Sequence, residues 1–227
     1  MTPSLSIVIP AYDEANRLPA TLATIHAYLA ARAPRAVELL VVDDGSRDGT
    51  AAVARAQGAT VISLPANRGK GAAVRAGALA ARHARVLVCD ADLATPIEAL
   101  EMLEAALDDG IDIAVGSRRT GTAQPLSRRA FGAAYHAIVR RTFALPVRDT
   151  TCGFKLFTRA AAHDLFARSR IDRFAFDVEV LYLARATYRI AEVPVPWHHV
   201  GGSRVTLRKD IARTIGELLT IRLRSPR

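Results

Sequence analysis

The sequence predicts one α/β domain: a mostly parallel sheet flanked by helices. Two observations carry that expectation. Apolar, β-branched runs alternate with helix-compatible stretches from residue 5 to residue 115, at the spacing of right-handed β-α-β crossovers. Three of those runs end in polar turns: Asp13-Glu14, Asp43-Asp44-Gly45-Ser46 and Asp90-Ala91-Asp92. The carboxyl edge of such a sheet is where ligands bind. With 227 residues, half of them apolar, the chain can bury a substantial core and is not disordered.

The elements follow in order. Leu5 to Pro10 reads as a first strand, with a helix from Leu18 to Ala31. Val37 to Val42 is a second strand, and Asp48-Gly49-Thr50 opens a helix to about Gln57. Thr60 to Leu64 is a short third strand. Asn67-Arg68-Gly69-Lys70-Gly71 precedes an Ala-rich helix reaching about His83, and Val86 to Cys89 is a buried fourth strand. Pro96 starts the next helix at the position where a missing N–H costs nothing, with Glu98 and Glu101 at its positive end. Ile111 to Val115 is a fifth strand. Beyond it the pattern loosens. A helix is expected from about Ser127 to Phe143, a strand from Cys152 to Phe157 and a helix from Val178 to Tyr188. Proline-flanked Ile190 to Val195 reads as an edge strand. Leu207 to Leu223 reads as an amphipathic helix.

Charge divides the chain. Residues 1–113 hold 10 Lys/Arg and 14 Asp/Glu, a net of −4, whereas residues 114–227 hold 21 and 8, a net of +13. No carboxylate lies between Asp112 and Asp149, where seven arginines occur. Such a field favours an anionic partner: phosphate, nucleic acid or an acidic membrane face. Nucleic acid is the weakest fit, because the arginines lack interleaved aromatics and no recognised motif is present. Solvated arginine-rich faces account for part of the excess.

The Met1 end has no basic-then-apolar signal pattern, and no apolar run approaches the roughly 20 residues of a bilayer span. The two cysteines form no disulfide framework. The expectation is a reduced, cytoplasmic protein, peripheral at the cytoplasmic face of a membrane.

Asp90 and Asp92 stand one residue apart at the end of the fourth strand. Residues i and i+2 of a strand share a side, so their charges repel unless a cation lies between them. Carboxylate oxygens suit Mg²⁺ or Mn²⁺, and Mg²⁺ commonly bridges to substrate phosphates. A solvated Asp-x-Asp turn is the alternative. The convergence of the other acidic strand ends favours the cation site. Gly69-Lys70-Gly71 is neither a Walker loop nor a dinucleotide fingerprint, since Val74 stands where the third glycine belongs.

Four ordered motifs, Ile7 to Glu14, Val41 to Ser46, Asn67 to Gly71 and Asp90 to Leu93, resemble the signatures of family 2 glycosyltransferases with the Rossmann-like GT-A fold. Asp149 to Phe157, Phe176 to Glu179 and Trp197 through Val205 narrow the resemblance to the dolichyl- or polyprenyl-phosphate β-glucosyltransferase branch. It implies one domain over 1–227, with a nucleotide-sugar half (1–117) and an acceptor half (118–227). It implies that Asp44 accepts a hydrogen bond from the uracil N3–H and that Pro10, Tyr12 and Glu14 line the nucleoside pocket. Turn capping is the other reading of Asp43 and Asp44. Asp92 would ligate the metal, with Asp90 binding or supporting it. Arg68 and Lys70 would lie near the donor, unless the segment is an ordinary loop and helix start. Ala94 departs from the Gln that related mannosyltransferases often carry there, which leans away from mannose.

A lipid phosphate needs no general base, because its second pKa of ~6 leaves it largely anionic. It needs cations, and Arg118, Arg128, Arg129 and Arg204 with Ser203 are the candidates, arginine matching phosphate bidentately. The activity implied is inverting transfer of a hexose, foremost glucose from UDP-glucose, to a polyprenyl phosphate. Asp149, Asp177 and Glu179 either bind sugar hydroxyls or pair with arginines. The basic last helix either lies on an anionic leaflet or packs into the core. A separate membrane subunit or a homo-oligomer is left open. The rivals are a mannosyl or other hexosyl transferase, a sugar nucleotidyltransferase, and a non-catalytic lipid- or nucleotide-binding module. The segment Ala11-Tyr12-Asp13-Glu14 lacks the Gly-rich, Arg-containing loop of nucleotidyltransferases.

Overall fold

The computed structural model describes residues 2–118, 137–198 and 207–224, with side chains of the last helix from residue 213 onward. Strands β1 (Leu5–Ala11), β2 (Val37–Asp43), β3 (Thr60–Ser63), β4 (Arg85–Val88), β5 (Ile113–Arg118), β6 (Lys155–Thr158) and β7 (Ile190–Val195) form one sheet in the order β3-β2-β1-β4-β6-β5-β7. The first four pair in parallel, and β7 pairs in parallel with β5 at the edge expected of a Pro-containing strand.

β6 is antiparallel to both neighbours, with Lys155 in register with Val88 on one side and Val115 on the other. A strand from the second half of the chain thus lies inside the sheet begun by the first. Each flanking strand is a short buried run, and such runs carry no signal of their neighbour or direction.

The sheet separates two apolar layers, because alternate residues of a strand face opposite sides. Ile7, Ile9, Leu39, Val41, Leu87 and Cys89 face helices α1 (Leu18–Ala30), α2 (Thr50–Ala56) and α4 (Leu100–Asp108). Val8, Leu40, Val42, Val86 and Val88 face α3 (Lys70–Ala80), α5 (residues 137–143), α6 (Arg159–Arg168), α7 (Phe176–Ala184) and α8 (Leu207–Arg224). Helix α3 lies close because Gly77 has no side chain. A Cβ there would stand 2.3 Å from Val8 Cγ1.

Several elements differ from the expectation: the helix expected from Pro96 is α-helical only from Leu100, after one 3₁₀ turn over Ile97–Ala99, and β6 starts at Lys155 rather than Cys152. α6 was not foreseen, although Thr158 Oγ1 accepts from Ala161 N–H (3.3 Å) as an N-cap, and Ala161, Ala162, Leu165 and Phe166 form its buried stripe. α7 stops at Ala184 rather than Tyr188, where the Thr187 and Tyr188 amides both turn back to the Ala184 carbonyl. Most of the helix expected over 127–143 lies outside the described residues, as do Arg128, Arg129, Ser203 and Arg204.

Candidate active site

Three strand ends build the site. After β1, Asp13 takes a left-handed conformation (φ 52°), uncommon for a residue with a side chain. Its N–H donates to Ser46 Oγ (2.9 Å), and its carboxylate accepts from Arg47 N–H (2.7 Å). Asp43 accepts from Ser46 N–H (3.0 Å), so it caps the turn after β2. Pro10, Tyr12 and Glu14 are half-buried along the first of these loops, and Glu14 pairs with Arg17 at 2.9 Å.

Asp44 is buried, and each of its oxygens accepts a backbone amide, from Arg68 N–H and Gly69 N–H, both at 2.8 Å. Burial pushes its carboxyl above the ordinary value despite those bonds and the nearby Arg173. The carboxylate therefore fixes the 67–71 loop. Each oxygen has a second lone pair for another donor.

That loop also rests on residues 171–173. Gly69 (φ 120°) has no room for a Cβ, which would stand 2.6 Å from the Asp172 carbonyl oxygen. Asp172 pairs with Arg68 at 2.9 Å and with Arg75. Glu179 is buried and accepts from the Arg170 and Ile171 amides (2.9 and 2.8 Å). It holds this wall in place, a structural role.

At the end of β4 a tight turn presents both carboxylates. Leu93 (φ 44°) donates its N–H to the Asp90 carbonyl (3.1 Å), and Ala94 N–H donates to Asp92 Oδ1 (3.0 Å). Lys70 Nζ, from the first residue of α3, lies 2.5 Å from Asp90 Oδ1. Burial alone would raise the Asp90 carboxyl, but Lys70 first, then Lys155 and Arg118, outweigh it and hold it ionised. Burial likewise opposes the Lys70 charge, and Asp90, Asp177 and Asp92 outweigh that and keep it protonated.

Beneath this pair lies another. Lys155 Nζ lies 2.5 Å from Asp177 Oδ1 and donates to the Cys152 carbonyl, with both side chains buried. Burial pushes the Asp177 carboxyl up in spite of Lys155 and Lys70. To the other side, Arg118 presents Nε and Nη2 to the two oxygens of Asp149, both at 2.7 Å, and Nη2 also donates to Thr151 (2.8 Å). The guanidinium carbon lies 5.8 Å from the Trp197 ring centroid. A small cleft of about 20 Å³ lies between Asp90, Leu93, Ala94, Gly153, Phe154 and Trp197. His198 N–H ties its rim to the Ala94 carbonyl (2.8 Å).

Of the residues expected from sequence, Lys70, Asp90, Asp92 and Arg118 share one charged cluster. Asp44 and Arg68 meet at the neighbouring loop. Asp149 and Asp177 are ion-paired, one with arginine and one with lysine. Lys155 was missed. Its signal was a lone lysine inside the apolar run Phe154-Lys155-Leu156-Phe157.

Among the described residues, no three His, Cys, Asp or Glu side chains gather as a metal site. Asp90 and Asp92 nonetheless fit Mg²⁺ or Mn²⁺. Both offer hard oxygens, and such an ion commonly takes its other ligands from water and substrate phosphates.

Residues 6–166 match the sequence profile of glycosyl transferase family 2. The chain is 37% identical to the dolichyl-phosphate beta-glucosyltransferase of Homo sapiens, over 98% of this chain and 76% of that protein. It is 40% identical to the Drosophila melanogaster enzyme of the same name, over 89% and 69% respectively. Among solved structures it resembles glucosyl-3-phosphoglycerate synthase from Mycobacterium tuberculosis in complex with Mn²⁺, uridine diphosphate and glucosyl-3-phosphoglycerate. There the TM-score is 0.72 at 21% identity, covering 99% of this chain and 81% of that one. Mannosyl-3-phosphoglycerate synthase from Rubrobacter xylanophilus gives 0.70 at 22%, covering 98% and 73%. The likeness in structure is one of fold, and the likeness in sequence decides the family: the chain belongs to glycosyl transferase family 2.

Proposed function

We propose that the protein transfers glucose from UDP-glucose to a polyprenyl phosphate of the dolichyl type, with inversion at the sugar C1. The observation that carries this reading is the convergence of Asp90, Asp92, Lys70 and Arg118 at the end of β4. The names of the relatives support glucose and dolichyl phosphate.

In this reading Asp44, Pro10, Tyr12 and Glu14 receive the nucleoside, and Arg68 and Lys70 lie along the diphosphate. Asp92, with Asp90, would hold a divalent ion, which supplies electrostatic stabilisation of the leaving diphosphate. The acceptor phosphate is already anionic, so no side chain needs to remove a proton. Its oxygen forms the bond to C1 as the bond from C1 to the UDP oxygen breaks and UDP leaves with the electron pair. Inversion converts an α-linked donor into a β-linked lipid phosphate sugar. Arg118, positioned by Asp149, would meet the acceptor phosphate, the role that the sequence also suggests for Arg128, Arg129, Ser203 and Arg204, which lie outside the described residues.

No helix of the described residues is long and apolar enough to cross a membrane. We infer peripheral attachment at a cytoplasmic leaflet. On α8, Ile221 is buried, while Ile215, Leu219 and Leu223 are 54%, 60% and 83% exposed. At 100° per residue these three form a stripe opposite the core-facing side, with Arg213, Arg222 and Arg224 on the same helix. An apolar stripe among cations suits an anionic bilayer surface.

The deciding experiment supplies radiolabelled UDP-glucose and polyprenyl phosphate. A chloroform-soluble product whose sugar is released by mild acid is expected. Label transfer from GDP-mannose in its place would reassign the donor, and no lipid product from any nucleotide sugar would overturn the reading.

A further inference from the structure

We propose that Lys70 and the divalent cation are rival partners of the Asp90 carboxylate, and that Lys70 exchanges Asp90 for the donor diphosphate when the cation arrives. This rests on the reading of the site as one for a metal and a nucleoside diphosphate, and deepens it.

The contact itself is the first argument. Lys70 Nζ stands 2.5 Å from Asp90 Oδ1, on a carboxylate the cation needs. Lys70 occupies Oδ1, while the other oxygen, Oδ2, lies beside Gly153, 2.1 Å from where a Cβ would stand.

The second argument is the position of Lys70 in its helix. It is the first residue of the 11-residue α3, where the helix dipole disfavours a cation and favours an anion. Lys70 is held there by its contact with the Asp90 carboxylate. A diphosphate beside the ammonium would replace the carboxylate it gives up.

The third argument is charge balance. Lys70 pairs with Asp90, Lys155 with Asp177 and Arg118 with Asp149. Asp92 adds one negative charge. A divalent ion on Asp90 and Asp92 takes Lys70's partner, and Asp177 already serves Lys155. The ammonium is then left without its partner on a side chain that is only 24% exposed, and an uncompensated buried charge is costly. The two charges of a diphosphate restore the balance. Cation and nucleoside diphosphate therefore bind cooperatively, and by linkage each tightens the other equally.

The test measures Mn²⁺ affinity by electron paramagnetic resonance of the free ion, with and without UDP (GDP as second nucleotide). In the wild-type protein, nucleotide should tighten Mn²⁺ by about tenfold or more. Lys70→Met should bind Mn²⁺ about tenfold more tightly than wild type without nucleotide, and the nucleotide effect should shrink. Lys70→Arg, which keeps the charge, should retain the wild-type coupling. Mn²⁺ affinity in folded Lys70→Met equal to or weaker than wild type overturns the proposal. If that variant does not fold, wild-type protein decides alone: Mn²⁺ binding indifferent to both nucleotides overturns it as well. The substrate assignment fails separately. Intact Mn²⁺–nucleotide coupling without any glucosyl transfer to lipid phosphate would remove the proposed reaction and leave this exchange standing.

Discussion

Gly153 lies against the Asp90 carboxylate, so closely that a Cβ at position 153 would stand 2.1 Å from Oδ2. Residue 153 precedes β6, the antiparallel strand beside β4, and this pairing brings a backbone from the second half of the chain up to the acidic turn. On the other side Lys70 holds Asp90 at 2.5 Å. Gly153→Ala must therefore displace the carboxylate rather than the backbone alone. We expect transfer to fall about a hundredfold, a barrier increase of about 2.7 kcal/mol, with little change in the unfolding midpoint. Turnover at saturating substrates beside a thermal melt checks this. Wild-type turnover in the alanine variant would show that Asp90 has another usable position.

Asp92 Oδ1 accepts the backbone amide of Ala94. Asp92→Asn should remove nearly all transfer, and chelation should do the same to the wild-type protein, with Mg²⁺ or Mn²⁺ restoring activity. Undiminished turnover in excess EDTA would defeat the metal's role.

The Lys155–Asp177 pair is buried at both ends, with side chains 4% and 7% exposed. Lys155→Met leaves Asp177 without its partner. That should cost about 3–5 kcal/mol of stability, whereas replacing both by apolar residues of similar volume should recover most of it. Urea unfolding of the single and double variants separates the two outcomes. A single variant as stable as wild type would mean that Asp177 is held neutral in the folded protein.

Arg118 turns its Nε–Nη2 edge to Asp149. In the proposed reaction it positions the acceptor phosphate, so Arg118→Ala should depress acceptor-dependent steps at saturating UDP-glucose and spare UDP binding. Lysine should rescue only in part, because a point charge cannot reproduce the planar fork. Unchanged acceptor KM and kcat would assign the basic half to another partner.

Glu38 supplies a pH dependence remote from chemistry. Burial pushes its carboxyl up, but Ser6 Oγ (2.6 Å), Arg82 N–H (2.7 Å) and Arg82 Nε (3.0 Å) outweigh that and set it below the ordinary range. A depressed folded pKa means stability that is complete above the unfolded value, about 4.3, and lost as pH falls through the folded one. Glu38→Gln should thus be less stable than wild type at neutral pH, and the gap should close below about pH 4. A gap independent of pH between 3 and 7, read from denaturant midpoints, would count against this.

What the sequence determined is local. Apolar, β-branched runs such as Leu5-Ser6-Ile7-Val8-Ile9 and the acidic residues behind them specify strands and the turns that end them, since burial is written in neighbouring residues. Asp44, Asp90 and Asp92 were legible as candidate site residues for that reason, and the edge position of β7 was legible as well. The tertiary structure decided what depends on distant partners. It set β6 antiparallel between β4 and β5, because several pairings bury a short apolar strand equally well and only the packed sheet chooses. It gave the Asp44 oxygens to the Arg68 and Gly69 amides. It turned Asp149 to Arg118 and Asp177 to Lys155, and placed Lys70 on Asp90. A charge in a sequence has no partner until folding fixes distances of a few ångströms, and Coulomb energies and burial costs at that range outweigh any local preference.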